Sequence, residues 1–257
     1  MVIVNTIEIN PPENLALAEL SNGKKYKILL KDYENLPFEC RPGSRLENIT
    51  IDTDKINLSE TNLYFDGDCV GFLSFLSRKY SIYRSAITKA AISDLPKKQL
   101  YSKLYFAVYR NDKTKIEPDI LKALCSLVCD EFEAAGYIDD RRYAADKARY
   151  LKEYKKYGNG KIKEFLYHKG VPSDIISEIL EDDLFTDEDG ALENMRALLK
   201  KKYGEPPGRL DSSDRADIQK AINLLIRGGY KYQQAKSAVA FFTDAELAET
   251  GDDDYDE

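Results

Sequence analysis

Short blocks of apolar residues spaced three and four apart fill the chain from about residue 69 onward. Glycine turns cut them to modest length. Leu100, Leu104, Ala107 and Val108 make one stripe, and Leu121, Leu124, Val128 and Phe132 a second. Leu192, Met195 and Leu199 follow, then Ile218, Ala221, Ile222 and Leu225. That period belongs to helices burying one face and wetting the other. Gly136, Gly158-Asn159-Gly160, Gly170, Pro206-Pro207-Gly208 and Gly228-Gly229 punctuate the stripes, so the helices are short and must pack on one another.

The blocks repeat. Residues 115–124 (KIEPDILKAL), 170–180 (GVPSDIISEIL) and 229–239 (GYKYQQAKSAV) align on Ile116, Val171 and Tyr230, each an apolar residue entering a helix. Each such helix follows two others. The expected fold class is therefore mainly α, a tandem array of three three-helix repeats in which neighbours supply the core that one repeat lacks. The boundaries are a first unit at 67–138, irregular near 111–115 (NDKTK), a second at 139–184 and a third at 185–243.

Residues 1–66 read differently. Leu15–Leu20 and Lys25–Leu30 flank Ser21-Asn22-Gly23-Lys24, and Asn-Gly between apolar runs signals a hairpin. Val2–Val4, Ile7–Ile9 and Ile49–Ile51 are further strand candidates. This predicts a small β-rich N-terminal domain of three to five strands that needs a helix to cover one face.

The 45 acids outnumber the 38 bases, but eight acids and no base lie in residues 244–257. Without that tail, 38 bases face 37 acids. The tail is expected to be disordered. In contrast, residues 141–170 hold ten bases against Asp146, Glu153 and Glu164. A helix over 141–154 would place Arg142, Arg149 and Lys152 on one arc, with Lys156 just beyond. Tyr143, Ala144, Ala148, Leu151 and Tyr154 fall on the opposite arc. A merely solvated surface is one reading of this basic face. Binding of nucleic acid or of an acidic protein groove is the other. Tyr150, Tyr154 and Tyr157 interleave with the bases, where stacking on nucleotides competes with core packing.

Other candidate chemistry is thin. Cys40, Cys69, Cys125 and Cys129 make no CxxC pair, so buried thiols are favoured over a zinc or redox site, and a reducing compartment fits. His168, the one histidine, leaves no His-pair metal site and sits where it would favour a helix C-terminus. Gly158-Asn159-Gly160-Lys161 lacks the Walker spacing, with Ile162 where Ser or Thr should follow the lysine. No signal peptide or membrane-spanning run is read, which predicts a cytoplasmic protein. No catalytic residue, metal or cofactor is assigned.

The sharpest string is Gly136-Tyr137-Ile138-Asp139-Asp140-Arg141-Arg142-Tyr143-Ala144. Physically it ends one helix at a glycine and caps the next with Asp139 or Asp140; a catalytic carboxylate pair is the weaker alternative. With Gly160-Lys161-Ile162, Leu166, Lys169-Gly170-Val171, Tyr203-Gly204 and Gly229-Tyr230, this string resembles the RecX family, regulators of the RecA recombinase. The resemblance spans about 85–249 well and 1–66 loosely, where Cys40–Leu46 is similar to the exit turn of a β-rich N-terminal segment. It implies a regulatory protein of DNA recombination and repair that binds the RecA nucleoprotein filament and inhibits it. Single- or double-stranded DNA is a further expected partner, and the chain is expected to act as a monomer away from membranes. The alternative is a helical nucleic-acid-binding module acting without a recombinase. The expected partner-binding residues are Arg142, Arg149, Lys152, Lys155, Lys156, Lys161 and Lys163. Gly136, Asp139, Asp140, Ala144 and Gly170 are expected to be structural.

Overall fold

The structure, a computed structural model, describes residues 1–47, 51, 68–111, 116–205, 210 and 214–249. Three antiparallel strands, β1 (Val4–Asn10), β2 (Leu15–Leu20) and β3 (Lys25–Leu29), form a meander in the order β1-β2-β3. Asn22 shapes the β2–β3 turn by accepting the Lys24 N–H at 3.0 Å. The register sets Val4 opposite Leu20 and Ala18 opposite Tyr26. Alternation then buries Ala16, Ala18, Leu20, Tyr26 and Ile28. Of the fourth strand candidate, Ile49 and Thr50 lie outside the described residues and Ile51 is not in a strand. The turn at Cys40–Leu46 comes back to β1 through Val4 N–H to Ser44 O at 3.0 Å and Gly43 N–H to Val4 O at 2.8 Å.

After the short α1 (Leu30–Glu34) come α2 (Cys69–Ile92), α3 (Lys97–Asn111) and α4 (Pro118–Ala134). Asp68 caps α2, accepting from Val70 and Gly71 N–H. α2 supplies the cover that the sheet needs. Phe72, Leu73 and Leu76 join Val4, Leu20 and Ile28 in one apolar core that continues to Leu104, Leu124 and Phe132. The β-rich segment and the first helical unit thus share a core instead of each owning one. All four cysteines are buried thiols, Cys125 and Cys129 on the inner face of α4. Burial pushes Cys40 and Cys69 to about 11 and Cys125 to about 12, which keeps them protonated.

The next repeat is α5 (Asp140–Glu153), α6 (Asn159–Lys169) and α7 (Ser173–Leu180), and a one-turn α8 (Asp183–Thr186) leads out of it. The third is α9 (Glu188–Tyr203), α10 (Arg215–Arg227) and α11 (Tyr232–Glu249). Each has its own core, one around Ala144, Ile162 and Leu166, the other around Leu199, Ala221 and Leu225. Ile116, Val171 and Tyr230 each stand two residues ahead of their helix, as aligned. The chain divides into two compact bodies: Met1–Leu95 with Gln99–Ile138, and Pro96–Lys98 with Asp139–Glu257. The expected disordered tail at 244–257 is corrected at its start, because α11 runs to Glu249 and its helical hydrogen bonding carries the acidic sequence along; 250–257 lie outside the described residues.

Within the second body the repeats interlock through backbone. Gly158 N–H donates to Gly228 O at 2.8 Å and Gly160 N–H to Gly229 O at 3.0 Å. Two amides at the opening of α6 are thereby engaged, so the Gly158–Lys161 stretch is an inter-repeat joint. A related contact places the Lys98 side chain over Gly170, where an added Cβ would meet Lys98 Cδ at 2.8 Å.

Candidate partner-binding surface of the second repeat

The α4–α5 connection behaves as its sequence suggests. Gly136, at φ +74°, closes α4 while Tyr137 N–H reaches back to Phe132 O at 2.9 Å. Asp139 caps α5 by accepting the Arg142 N–H at 2.9 Å. Asp140 is buried and accepts the Lys97 N–H at 2.7 Å, so its carboxylate sits at the start of α3. Ala144 is fully buried beneath α5. These contacts are structural work. Asp140→Ala should cost about 1–3 kcal/mol, since it strips a part-buried amide of its acceptor. Chemical denaturation of the full chain measures this, and an unchanged midpoint would remove the carboxylate from that role.

The bases divide into three groups. Arg142, Arg149, Lys155 and Lys163 are exposed. Lys156 and Lys161 are half-buried and held from inside. Lys156 adopts φ +57°, and its carbonyl accepts the Tyr230 hydroxyl at 2.9 Å. The Lys161 ammonium donates to Arg227 O at 3.3 Å and lies 5.4 Å from the Tyr157 ring centre. Lys152, expected on the exposed arc, is instead 4% exposed. It is four residues on from Ala148, and the third repeat covers that flank: Asn194 Nδ2 donates to Lys152 O at 3.4 Å. An arc drawn for an isolated helix omits this cover. Desolvation lowers the Lys152 pKa against a smaller opposing pull from Asp187.

Tyr154 is corrected in the opposite sense. It follows the last residue of α5, outside the helical arc, and is 74% exposed. Its ring stacks on Tyr150 at 5.4 Å between centres, and the Lys155 ammonium sits 5.9 Å from the Tyr150 ring. Exposed bases and an exposed aromatic pair therefore share one end of α5. Arg141 pairs with Glu178 of α7. His168 is exposed in the last turn of α6, 3.8 Å from Glu164.

Two features escaped the sequence reading. One is a groove of about 580 Å³ beside α2 and α3, whose charged lining residues are Lys89, Lys103 and Arg110, with exposed Phe106. Lys103, Phe106 and Arg110, at spacings of three and four, were its available signal. The other is a cleft of about 900 Å³ in the second body, lined by Lys152 and Asn159 among others. It needs α5, α6, α9 and α11 together, and no local pattern announces it.

The second body is a helical-repeat array, and the middle repeat of the chain carries an exposed, base-rich surface with an aromatic pair. Comparison with known proteins narrows this. A family model described as RecX, second three-helix domain, matches residues 139–180. The middle repeat is thus similar to the second three-helix domain of RecX, in line with the resemblance read from its sequence. The chain is similar to the Regulatory protein RecX of Leptothrix cholodnii, with 34% identity over 80 residues, 31% of this chain. That match spans 47% of the relative's length, about half of it. A crystal structure of regulatory protein RecX has the same fold, with a TM-score of 0.63 and 15% identity over 95% of this chain and 100% of that one. A RecX from Lactobacillus salivarius superposes less well, at a TM-score of 0.49 and 19% identity over 64% of this chain and 96% of that one. Among the described residues no helix is long and apolar enough to cross a membrane.

Proposed function

We propose that this chain regulates the RecA recombinase, binding the RecA nucleoprotein filament and inhibiting it in DNA recombination and repair. The observation that carries the reading is a coincidence of place: the exposed bases Arg142, Arg149, Lys155 and Lys163 all fall within the stretch that matches the RecX domain. Lys156 and Lys161 support that surface from the joint behind it. The second and third repeats interlock into one body, and stacked helical repeats commonly bind macromolecules. Opposite charge across such a contact steers association and fixes register.

The test is the single-stranded-DNA-dependent ATPase of RecA with and without the full chain. Wild type should lower it. A variant with Arg149→Glu, Lys155→Glu and Lys163→Glu should lose most of that inhibition. Its stability should change by no more than about 0.5 kcal/mol per site, because all three side chains are exposed. Full inhibition by the folded variant would remove this surface from the contact.

The stacked, exposed Tyr150–Tyr154 pair beside Lys155 favours a second reading, direct binding of single strands. On that reading naked DNA binds with a log–log salt slope of about −0.7 per phosphate neutralised. On the first, naked DNA binds weakly and the RecA–DNA complex tightly.

A further inference from the structure

A lysine 4% exposed is an unusual wall for a cleft. Burial penalises an ammonium unless an opposite charge or several acceptors compensate it. No ion pair or hydrogen bond of the Lys152 Nζ is found among the described residues. Asp187 lies near enough to act on it through space, but both its carboxylate oxygens are spent capping α9, on Asp189 N–H at 3.1 Å and Gly190 N–H at 3.0 Å.

The same cleft holds a second unsatisfied group. Asn159 donates its Nδ2 to Phe185 O at 2.9 Å, which turns its Oδ1 the other way. That oxygen is buried and has no donor. A buried acceptor without a donor is costly and uncommon in folded proteins. The cleft therefore offers one ammonium without an ion pair, on a side chain only 4% exposed, and one buried oxygen seeking an N–H or O–H. Phe185, Ala191, Ile226 and Tyr230 add apolar wall between them, and the openings of α6, α9 and α11 border it. Its volume of about 900 Å³ takes several amino-acid residues.

We propose that this cleft binds an acidic side chain presented on an extended peptide of a protein partner, the carboxylate on the Lys152 ammonium and a peptide N–H on Asn159 Oδ1. A carboxylate fits better than a phosphate. Glu164, Asp187 and Glu188 also line the cleft and repel a dianion more than a monoanion, and Lys161, Arg227 and Lys231 nearly balance them. A peptide brings the N–H that Asn159 lacks, whereas a phosphomonoester dianion has no proton to donate. The site goes beyond the regulatory reading above and rests on it only in that the partner is a protein. It also gives Lys152 a role that its burial denies it on the outer basic face.

The test uses the full chain labelled with ε-13C lysine, with the Lys152 signal assigned through Lys152→Arg. The probes are the capped tripeptide acetyl-Ala-Glu-Ala-amide, its Gln counterpart and inorganic phosphate, at equal ionic strength. Without a probe Lys152 should titrate below the ordinary lysine value, because burial disfavours its charge. Saturation with the glutamate peptide should raise its midpoint by about half a pH unit or more, because an adjacent carboxylate favours the charged form. The Gln peptide and phosphate should leave it in place, and Asn159→Ser should weaken the glutamate peptide severalfold. A midpoint unmoved by the glutamate peptide overturns the proposal, as does an equal response to the Gln peptide. A larger response to phosphate overturns the choice of peptide and assigns a phosphate site. The wild-type titration needs no folded variant, and its outcome is separate from the ATPase assay, which reads the outer bases.

Discussion

Gly229→Ala should destabilise the second compact body by about 3 kcal/mol or more. Two costs combine. The residue sits at φ +93°, where an L side chain is strained by roughly 1–2 kcal/mol. The new Cβ would also lie 2.3 Å from Lys161 N and 2.8 Å from Gly158 O. Those are backbone atoms at the joint between α6 and the α10–α11 turn, so nothing small can swing aside, and overpacking of this kind costs about 1–3 kcal/mol by itself. Gly136→Ala separates the two contributions. Gly136 lies at φ +74° with nothing within 4 Å of an added Cβ, so it should show the conformational cost alone. Denaturant midpoints read near-UV for each variant give the comparison. If the two substitutions cost the same, the interlock of Gly158, Gly160 and Gly229 contributes nothing beyond its φ angle.

Lys79→Met should cost about 3–5 kcal/mol in the first body. Lys79 is 4% exposed on α2 and bridges Asp32 at 2.9 Å and Glu131 at 2.5 Å, while Lys31 reaches Glu131 at 2.9 Å. Removing the ammonium leaves two nearby, half-buried carboxylates without it, with Asp32 Oδ2 already lacking a partner. Lys152→Met should behave in the opposite way, neutral or stabilising, because its ammonium makes no ion pair among the described residues and so leaves no carboxylate orphaned.

The pH dependence follows from Asp32. Burial raises its pKa above the ordinary 3.8, outweighing the lowering by Lys79; Glu131 raises it further and Lys31 lowers it. Between 3.8 and that raised value the folded chain holds a proton that the unfolded chain has released. The Asp32 contribution to stability is therefore greatest at acid pH and is lost as pH rises through the folded pKa. Without Lys79 the pKa rises more. The Lys79→Met penalty should then shrink as pH falls into the carboxylate range, because a protonated Asp32 needs no counter-ion. Denaturation midpoints of wild type and variant across mildly acid pH measure this, and a penalty that does not change with pH would exclude the carboxylates as its source.

Much of the architecture was legible from local pattern. Helical stripes, glycine stops and the Asn22-Gly23 turn act over a few residues, so their signals survive in one dimension. The register of Ile116, Val171 and Tyr230 marked the repeats for the same reason. Asp139 was legible as a cap because the amide it accepts lies three residues on. The partner of Asp140, at Lys97, was not, since 43 residues separate them.

The basic surface was legible as a composition but not as a surface. Charge counts placed ten bases in residues 141–170 and a helical wheel sorted them into arcs. Only tertiary packing decided which arc meets water. α9 closes over Lys152, α5 stops before Tyr154 and releases it to solvent, and Tyr230 ties down the backbone of Lys156. The cleft with Lys152 and Asn159 lies wholly on that second side. By itself the sequence determined which segments become helices and that they group in threes; that the second and third groups each close a core of their own was decided by the fold. The fold alone decided which polar groups are left buried without partners, because desolvation depends on what packs across a side chain and not on its neighbours along the chain.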